Sequence, residues 1–187
     1  DTLGHIAAGD LACRQAVVAA GGAGAVVAAL RAHQDNVEMQ RTGCVALKDI
    51  AAGDAACNQA VVAAGGAGAV VMAMRAHPGD VDVQQAGSGA LMYIALGDAV
   101  NKQAVVAAGG AGAVVAALRA HPGDVVVQRA GCVALMHIAL GDAACRQAVA
   151  AAGGTDAVVA ALRAHRGDAV VQRAGCVALM HIALGDA

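Results

Sequence analysis

The residues able to do chemistry are few, and their spacing limits what they can do. The chain holds six cysteines, seven histidines and a single serine, Ser88. Cys13, Cys57 and Cys145 share one slot of a 44-residue spacing, with Asn101 in the remaining unit; Cys44, Cys132 and Cys176 share another, with Ser88. A slot that accepts Cys, Asn or Ser reads as a small-residue packing position, where cysteine behaves as a small hydrophobe. No close C-x-x-C pair offers two thiolates to zinc. Free thiols in a reducing, intracellular compartment, cytoplasmic or nuclear, are therefore expected. His33, His77, His121 and His165 recur at the same spacing. Equivalent residues of stacked helices stand about 8–10 Å apart, too far for two imidazoles to share a metal at ~2.1 Å each, so helix-end and solvent roles are expected for them. The carboxylates fall at repeat-equivalent positions suited to helix caps, and no nucleophile is spaced to meet a base. Catalytic, metal and cofactor-binding residues are thus expected to be absent, and the protein is read as a non-enzyme. Arg166-Gly167-Asp168 spells an integrin-binding tripeptide, but two sister units read Pro-Gly-Asp there and Asp168 is needed as a cap. The Ala-Gly-Gly-Ala-Gly turns lack the preceding strand and the Gly-Lys-Ser/Thr ending of a phosphate loop.

The elements that would carry these residues follow from the repetition. Ile-Ala-Ala/Leu-Gly-Asp returns with its glycine at Gly9, Gly53, Gly97, Gly141 and Gly185, 44 residues apart each time. Residues 97–140 and 141–184 are identical at 36 of 44 positions, so the array is consensus-like or recently duplicated. A period of 20–50 residues indicates a solenoid, propeller or array. One domain over 1–187 is expected, divided into a partial third helix (1–8), four full repeats (9–52, 53–96, 97–140, 141–184) and the start of a further repeat (185–187). In the unit 97–140, Gly97 is expected to end the preceding helix in the left-handed conformation, with Asp98 as N-cap. Helix one then spans 99–108, broken by Gly109-Gly110. Helix two spans 112–120, and Arg119 and His121 suit its C-terminus. Pro122-Gly123 turns the chain and Asp124 caps helix three, which runs to Leu140. The apolar residues do not alternate, so no strand is expected.

Composition agrees with stacking. Hydrophobic residues make up 59% of the chain, yet it has one Tyr, no Phe and no Trp, so small side chains must bring many backbones close together rather than fill one deep core. Mean hydropathy is +0.62, but apolar runs such as 16–30 and 104–118 are 15 residues long, against the ~20 that a spanning helix needs. No membrane association is expected. The net charge of −2 gives no general attraction to nucleic acid. Without an initiator Met or a basic leader, Asp1 reads as the edge of a processed or excised fragment.

Gln103-Ala-Val-Val-Ala-Ala-Gly-Gly, then Ala113-Val-Val-Ala-Ala-Leu, then Ala134-Leu-Met-His-Ile-Ala-Leu-Gly-Asp resemble the short first helix, glycine break, second helix and long third helix of the armadillo repeat family. The resemblance covers essentially the whole chain. It implies an all-α, right-handed α-solenoid of three-helix armadillo-type repeats, and a non-enzymatic scaffold that binds an extended or helical protein segment along a groove lined by its third helices. The family's groove asparagine would fall at His5, Asp49, Tyr93, His137 and His181, and its groove tryptophan at Val45, Gly89, Val133 and Val177, so neither residue type is present. Helical spacing in the third unit groups Ala130, Val133, His137 and Leu140 on one face, with Met136 beside them. Gly131, Ala134, Leu135 and Ile138 form the neighbouring, core-facing set. Equivalent groove faces hold Thr42, Val45, Lys48, Asp49 and Ala52; Ala86, Gly89, Met92, Tyr93 and Leu96; and Ala174, Val177, Met180, His181 and Leu184. The stripe runs from mixed charge to apolar, and Tyr93, the only aromatic, is its expected hot spot. His137 and His181 would make partner binding pH-sensitive. The competing expectation is self-association: residues 141–184 carry the apolar stacking face of an internal unit, so copies would stack end to end into a homo-oligomer, with Asp1 and Thr2 serving as a partial cap.

Overall fold

The computed structural model of the protein describes residues 11–184. The partial third helix expected over 1–8, the groove position His5, the capping role of Asp1 and Thr2, and the further repeat at 185–187 lie outside them. The described residues form twelve helices in four triplets: α1 (Leu11–Ala19), α2 (Gly22–Ala32) and α3 (Val37–Ala51); α4 (Ala55–Ala63), α5 (Gly66–Ala76) and α6 (Val81–Ala95); α7 (Ala99–Ala107), α8 (Gly110–Ala120) and α9 (Val125–Ala139); α10 (Ala143–Ala151), α11 (Gly154–Ala164) and α12 (Ala169–Ala183). No strand occurs among the described residues. The triplets stack into a right-handed α-solenoid, with α3, α6, α9 and α12 in the most extensive mutual contact.

Local sequence explains each helix end. Asp54, Asp98 and Asp142 accept a hydrogen bond from the backbone N–H three residues on, as do Asp80, Asp124 and Asp168 at the third helices. These caps satisfy donors that a helix start leaves without partners. The first two helices of the first three triplets meet at 68°, 64° and 63°. That bend requires a left-handed residue, supplied by Gly21, Gly65, Gly109 and Gly153 at φ 75–79°. Gly109 completes the turn so that Gly110 is already helical, which is why the second helix starts two residues earlier than expected.

Gly97 corrects another expectation. Among the described residues, left-handed backbone is confined to the first glycine of each Gly-Gly pair, and Gly97 does not adopt it. A Cβ there would collide with the Asn101 side chain, and one at Gly141 would lie 2.7 Å from Cys145 Cβ. These glycines therefore admit the following helix at close range rather than reverse the chain.

The core is built as the aromatic-poor composition demands. Gly131, Cys132, Ala134, Leu135, Ile138 and Ala139 of α9 are all buried, and a Cβ on Gly131 would stand 2.6 Å from Leu118. Cys44 and Cys132 are inaccessible, and burial pushes both thiols up to about 12. Cys57 and Cys145 are likewise buried, whereas Cys176, on the outer side of α12, is exposed.

Polar side chains bind the layers in ways the sequence reading did not anticipate. Gln84 Nε2 donates to Met74 O and His77 O, both at 2.8 Å, and Gln40, Gln128 and Gln172 repeat the arrangement. Each amide thus satisfies carbonyls that the second helix leaves open at its C-terminus, and those of Gln40, Gln84 and Gln128 do so while fully buried. The histidine ladder is more than a set of solvated helix ends: the Nε2–H groups of His77, His121 and His165 donate to Gln34 O, Pro78 O and Pro122 O of the preceding repeat at 2.8–2.9 Å. Asn101 donates to Asn58 Oδ1 at 3.0 Å, and Asn58 donates to Tyr93 O at 2.7 Å. No single helix among the described residues is long and apolar enough to cross a membrane.

Candidate functional site

Three stacked third helices enclose a concave cleft of about 680 Å³. From α3 come Arg41, Thr42, Val45, Ala46, Lys48 and Asp49; from α6, Asp82, Gln85, Ala86, Gly89 and Met92; from α9, Arg129, Ala130 and Val133. On α6, Asp82, Gln85, Gly89 and Met92 are separated by steps of three and four, so one helix face supplies the floor. The opposite face of α6 holds Leu91, Ile94 and Ala95, fully buried, and this fixes the orientation of the floor.

Of the residues expected on the groove, Val45, Lys48, Asp49, Gly89, Met92 and Val133 line this cleft. Tyr93, Leu96, Met136, His137 and Leu140 lie further along α6 and α9 and at their C-caps, outside its lining, as do Val177, Met180, His181 and Leu184 on α12. Tyr93, Met136, His137, Val177 and His181 are half-buried; Leu96, Leu140, Met180 and Leu184 are exposed. Ala86 and Ala174 are buried. The helical-face reading missed Arg41, Asp82, Gln85 and Arg129, which lie one turn nearer the N-termini. Their signal was present, since Arg41, Gln85, Arg129 and Arg173 recur every 44 residues, one helical turn before the Val/Gly position.

The charges around the cleft are paired. Lys48 Nζ stands 3.6 Å from Asp49 Oδ1, and the Arg41 guanidinium bonds to Glu38 and lies 3.8 Å from Asp82. Arg129 Nε donates to Asp168 Oδ2 at 2.8 Å, and this bond, with the cap N–H groups, holds the Asp168 carboxyl down to about 2. Both Asp168 oxygens are thereby engaged within the fold, Oδ1 by Val170 and Val171 and Oδ2 by Arg129, so the Arg166-Gly167-Asp168 tripeptide offers no free carboxylate. Burial, and secondarily the Lys102 ammonium, lowers the His137 imidazole below its ordinary range. Among the described residues no three His, Cys, Asp or Glu side chains are grouped as a metal site.

The floor has one gap. A Cβ built on Gly89 would touch only Lys48 Cδ, at 3.4 Å, whereas the equivalent positions in the other third helices carry the valines Val45, Val133 and Val177.

No protein-family model matches the sequence, and no curated protein does. Solved structures do match. Two engineered proteins superpose with TM-scores of 0.86 and 0.87 at 33% and 30% identity, covering 97% of this chain and 70% and 72% of theirs. A designed armadillo repeat protein superposes with a TM-score of 0.86 over 99% of this chain and 74% of its own, at 24% identity. The chain has the armadillo repeat fold. Another designed armadillo repeat protein, solved in complex with the peptide (KR)4, matches at a TM-score of 0.60 and 20% identity over 97% of this chain and 90% of its own. In the armadillo frame the cleft lies along the third-helix stack, where the sequence resemblance implied a groove.

Proposed function

We propose that this armadillo protein is a non-enzymatic scaffold whose third-helix groove holds an extended or helical segment of a partner protein. The observation that carries this reading is the cleft itself: about 680 Å³, concave, and apolar along its floor at Ala86, Met92, Ala130 and Val133. Stacked helices hold these residues in place before a partner arrives, so little ordering cost falls on the scaffold. The (KR)4 complex of a protein with this fold supports the choice of a peptide as partner. The site is proposed to continue past the cleft over Tyr93, Leu96, Met136, His137 and Leu140 to Val177, Met180, His181 and Leu184. Packing of Cys44 and Cys132 as small apolar residues supports a reducing intracellular setting.

Selection from a displayed random-peptide library tests this reading. Binders should be recovered, and Met92→Glu with Val133→Glu should abolish their capture while helicity is retained. Capture that survives both substitutions removes the groove.

A second reading rests on α12. Cys132 is inaccessible beneath α12, yet its equivalent Cys176 is exposed, and Met180 is exposed where its equivalent Met136 is half-buried. An apolar repeat–repeat face is therefore uncovered among the described residues, and a second copy stacking there would make the protein self-associate. Sedimentation of a monomer at every concentration counts against it.

A further inference from the structure

We infer that the cleft selects partners by one large, uncharged aromatic side chain, seated over Gly89. This inference rests on the peptide-scaffold reading above and specifies the anchor. In α9 and α12 the corresponding floor position is filled by a valine; in α6 it is a glycine whose missing side chain would meet nothing but the stem of Lys48. The floor is thus lowered at one position, at the middle of the three helices that form the cleft. Val45 and Val133 stand on either side of it along the stack, and Met92 lies one turn further on. A depression with apolar side walls and a pliable thioether at its end fits a flat ring better than a branched aliphatic group.

The charges specify the same occupant. Each cation of the cleft already faces a carboxylate: Lys48 faces Asp49, Arg41 faces Asp82 and Glu38, and Arg129 faces Asp168. A formally charged anchor would have to displace one of these partners and leave a carboxylate or a cation unpaired beside an apolar floor. A neutral ring displaces none of them. Its electron-rich face also complements the Lys48 ammonium, whose stem borders the depression at 3.4 Å. The chain thereby supplies no aromatic wall of its own at this point and takes the ring from its partner.

The test uses the whole chain and three neutral-backbone nonapeptide probes: glycine-serine peptides with Trp, Leu or Ala at the centre, and beside them an octapeptide of alternating Lys and Arg. Titrations are followed by the amide resonances of Gly89, Val45 and Val133. The Trp peptide should shift these three and bind at least tenfold more tightly than the Leu and Ala peptides, and the basic octapeptide should not compete with it. Gly89→Val installs the residue of the sister repeats, so folding is retained, and it should weaken the Trp peptide about tenfold or more; Gly89→Ala, which fills less of the same depression, should weaken it less. Equal binding of the Trp and Leu peptides, an unchanged affinity in Gly89→Val, or competition by the basic octapeptide overturns the aromatic anchor. Library-selected peptides that occupy the groove with no aromatic position enriched overturn the anchor alone and leave the scaffold reading standing; a library that yields no groove binder at all overturns both.

Discussion

α6 and α9 are the same helix on one side and different helices on the other. Both run 15 residues from an aspartate cap, and their buried positions match: Gln84 with Gln128, Gly87 with Gly131, Ala90 with Ala134, Leu91 with Leu135, Ile94 with Ile138. They differ at Asp82/Val126, Gln85/Arg129, Ser88/Cys132, Gly89/Val133 and Tyr93/His137. Of these only Ser88/Cys132 is buried; the rest face the groove side, and Asp82, Gln85 and Gly89 lie in the cleft. The repeat therefore separates its tasks by face. One face carries the stacking rules and stays fixed, and the other is free to take different chemistry from rung to rung.

Substitutions can break that comparison at its strongest point first. Leu91→Ala and Leu135→Ala each delete a fully buried side chain and should cost about 2–5 kcal/mol, by similar amounts in chemical denaturation; a large inequality would mean that the two cores are not equivalent. Gln84→Ala and Gln128→Ala follow. Each leaves two carbonyls without their amide donor, a loss of about 1–3 kcal/mol that denaturation midpoints should register equally in the two repeats. Ser88 sharpens the one buried difference: its Oγ is buried with no partner, so Ser88→Cys should raise stability by about 1 kcal/mol and Cys132→Ser should lower it. The smallest effect concerns Tyr93/His137. Because burial depresses the His137 pKa in the fold, the unfolded chain takes the proton first, and stability is lost as pH falls from about 6.5 toward the native value. His137→Tyr should flatten that part of the stability–pH curve between pH 5 and 7; an unchanged slope assigns it to other groups.

Punctuation and period made the fold readable. Gly-Gly pairs, the Asp caps and Pro-Gly turns act locally, and their recurrence located every described helix to within two residues. Gly97 misled because a left-handed cap and a close-approach glycine are written with the same letter; only the position of Asn101 across the turn distinguishes them. The glutamine and histidine ladders were visible as recurrences, but which carbonyl each one reaches depends on how the repeats stack, which is a long-range matter. The site was half legible for a similar reason. Alignment on Ala-Leu-x-x-Ile-Ala singled out Val45, Asp49, Gly89 and Val133, and helical spacing Lys48 and Met92, all of which line the cleft, while the cleft lies one turn nearer the helix starts than that motif, where Arg41, Asp82, Gln85 and Arg129 stand.

The rungs contributed by His77, His121 and His165 bear on how the molecule responds to force. Along the third-helix stack, neighbouring repeats share continuous apolar contact, but along the edge carrying these imidazoles the seam between second helices is less extensive and is supplemented by single bonds such as His121 to Pro78 O. Water replaces a bond of that kind at a net cost of about 0.5–1.5 kcal/mol, far less than separating a packed seam. Under tension the solenoid is expected to act as a leaf spring clamped on one side, with that edge opening rung by rung and the curvature relaxing while every helix stays folded. An optical-trap trace should then show reversible lengthening below the unfolding force, and a trace that stays rigid until the first repeat ruptures would contradict it.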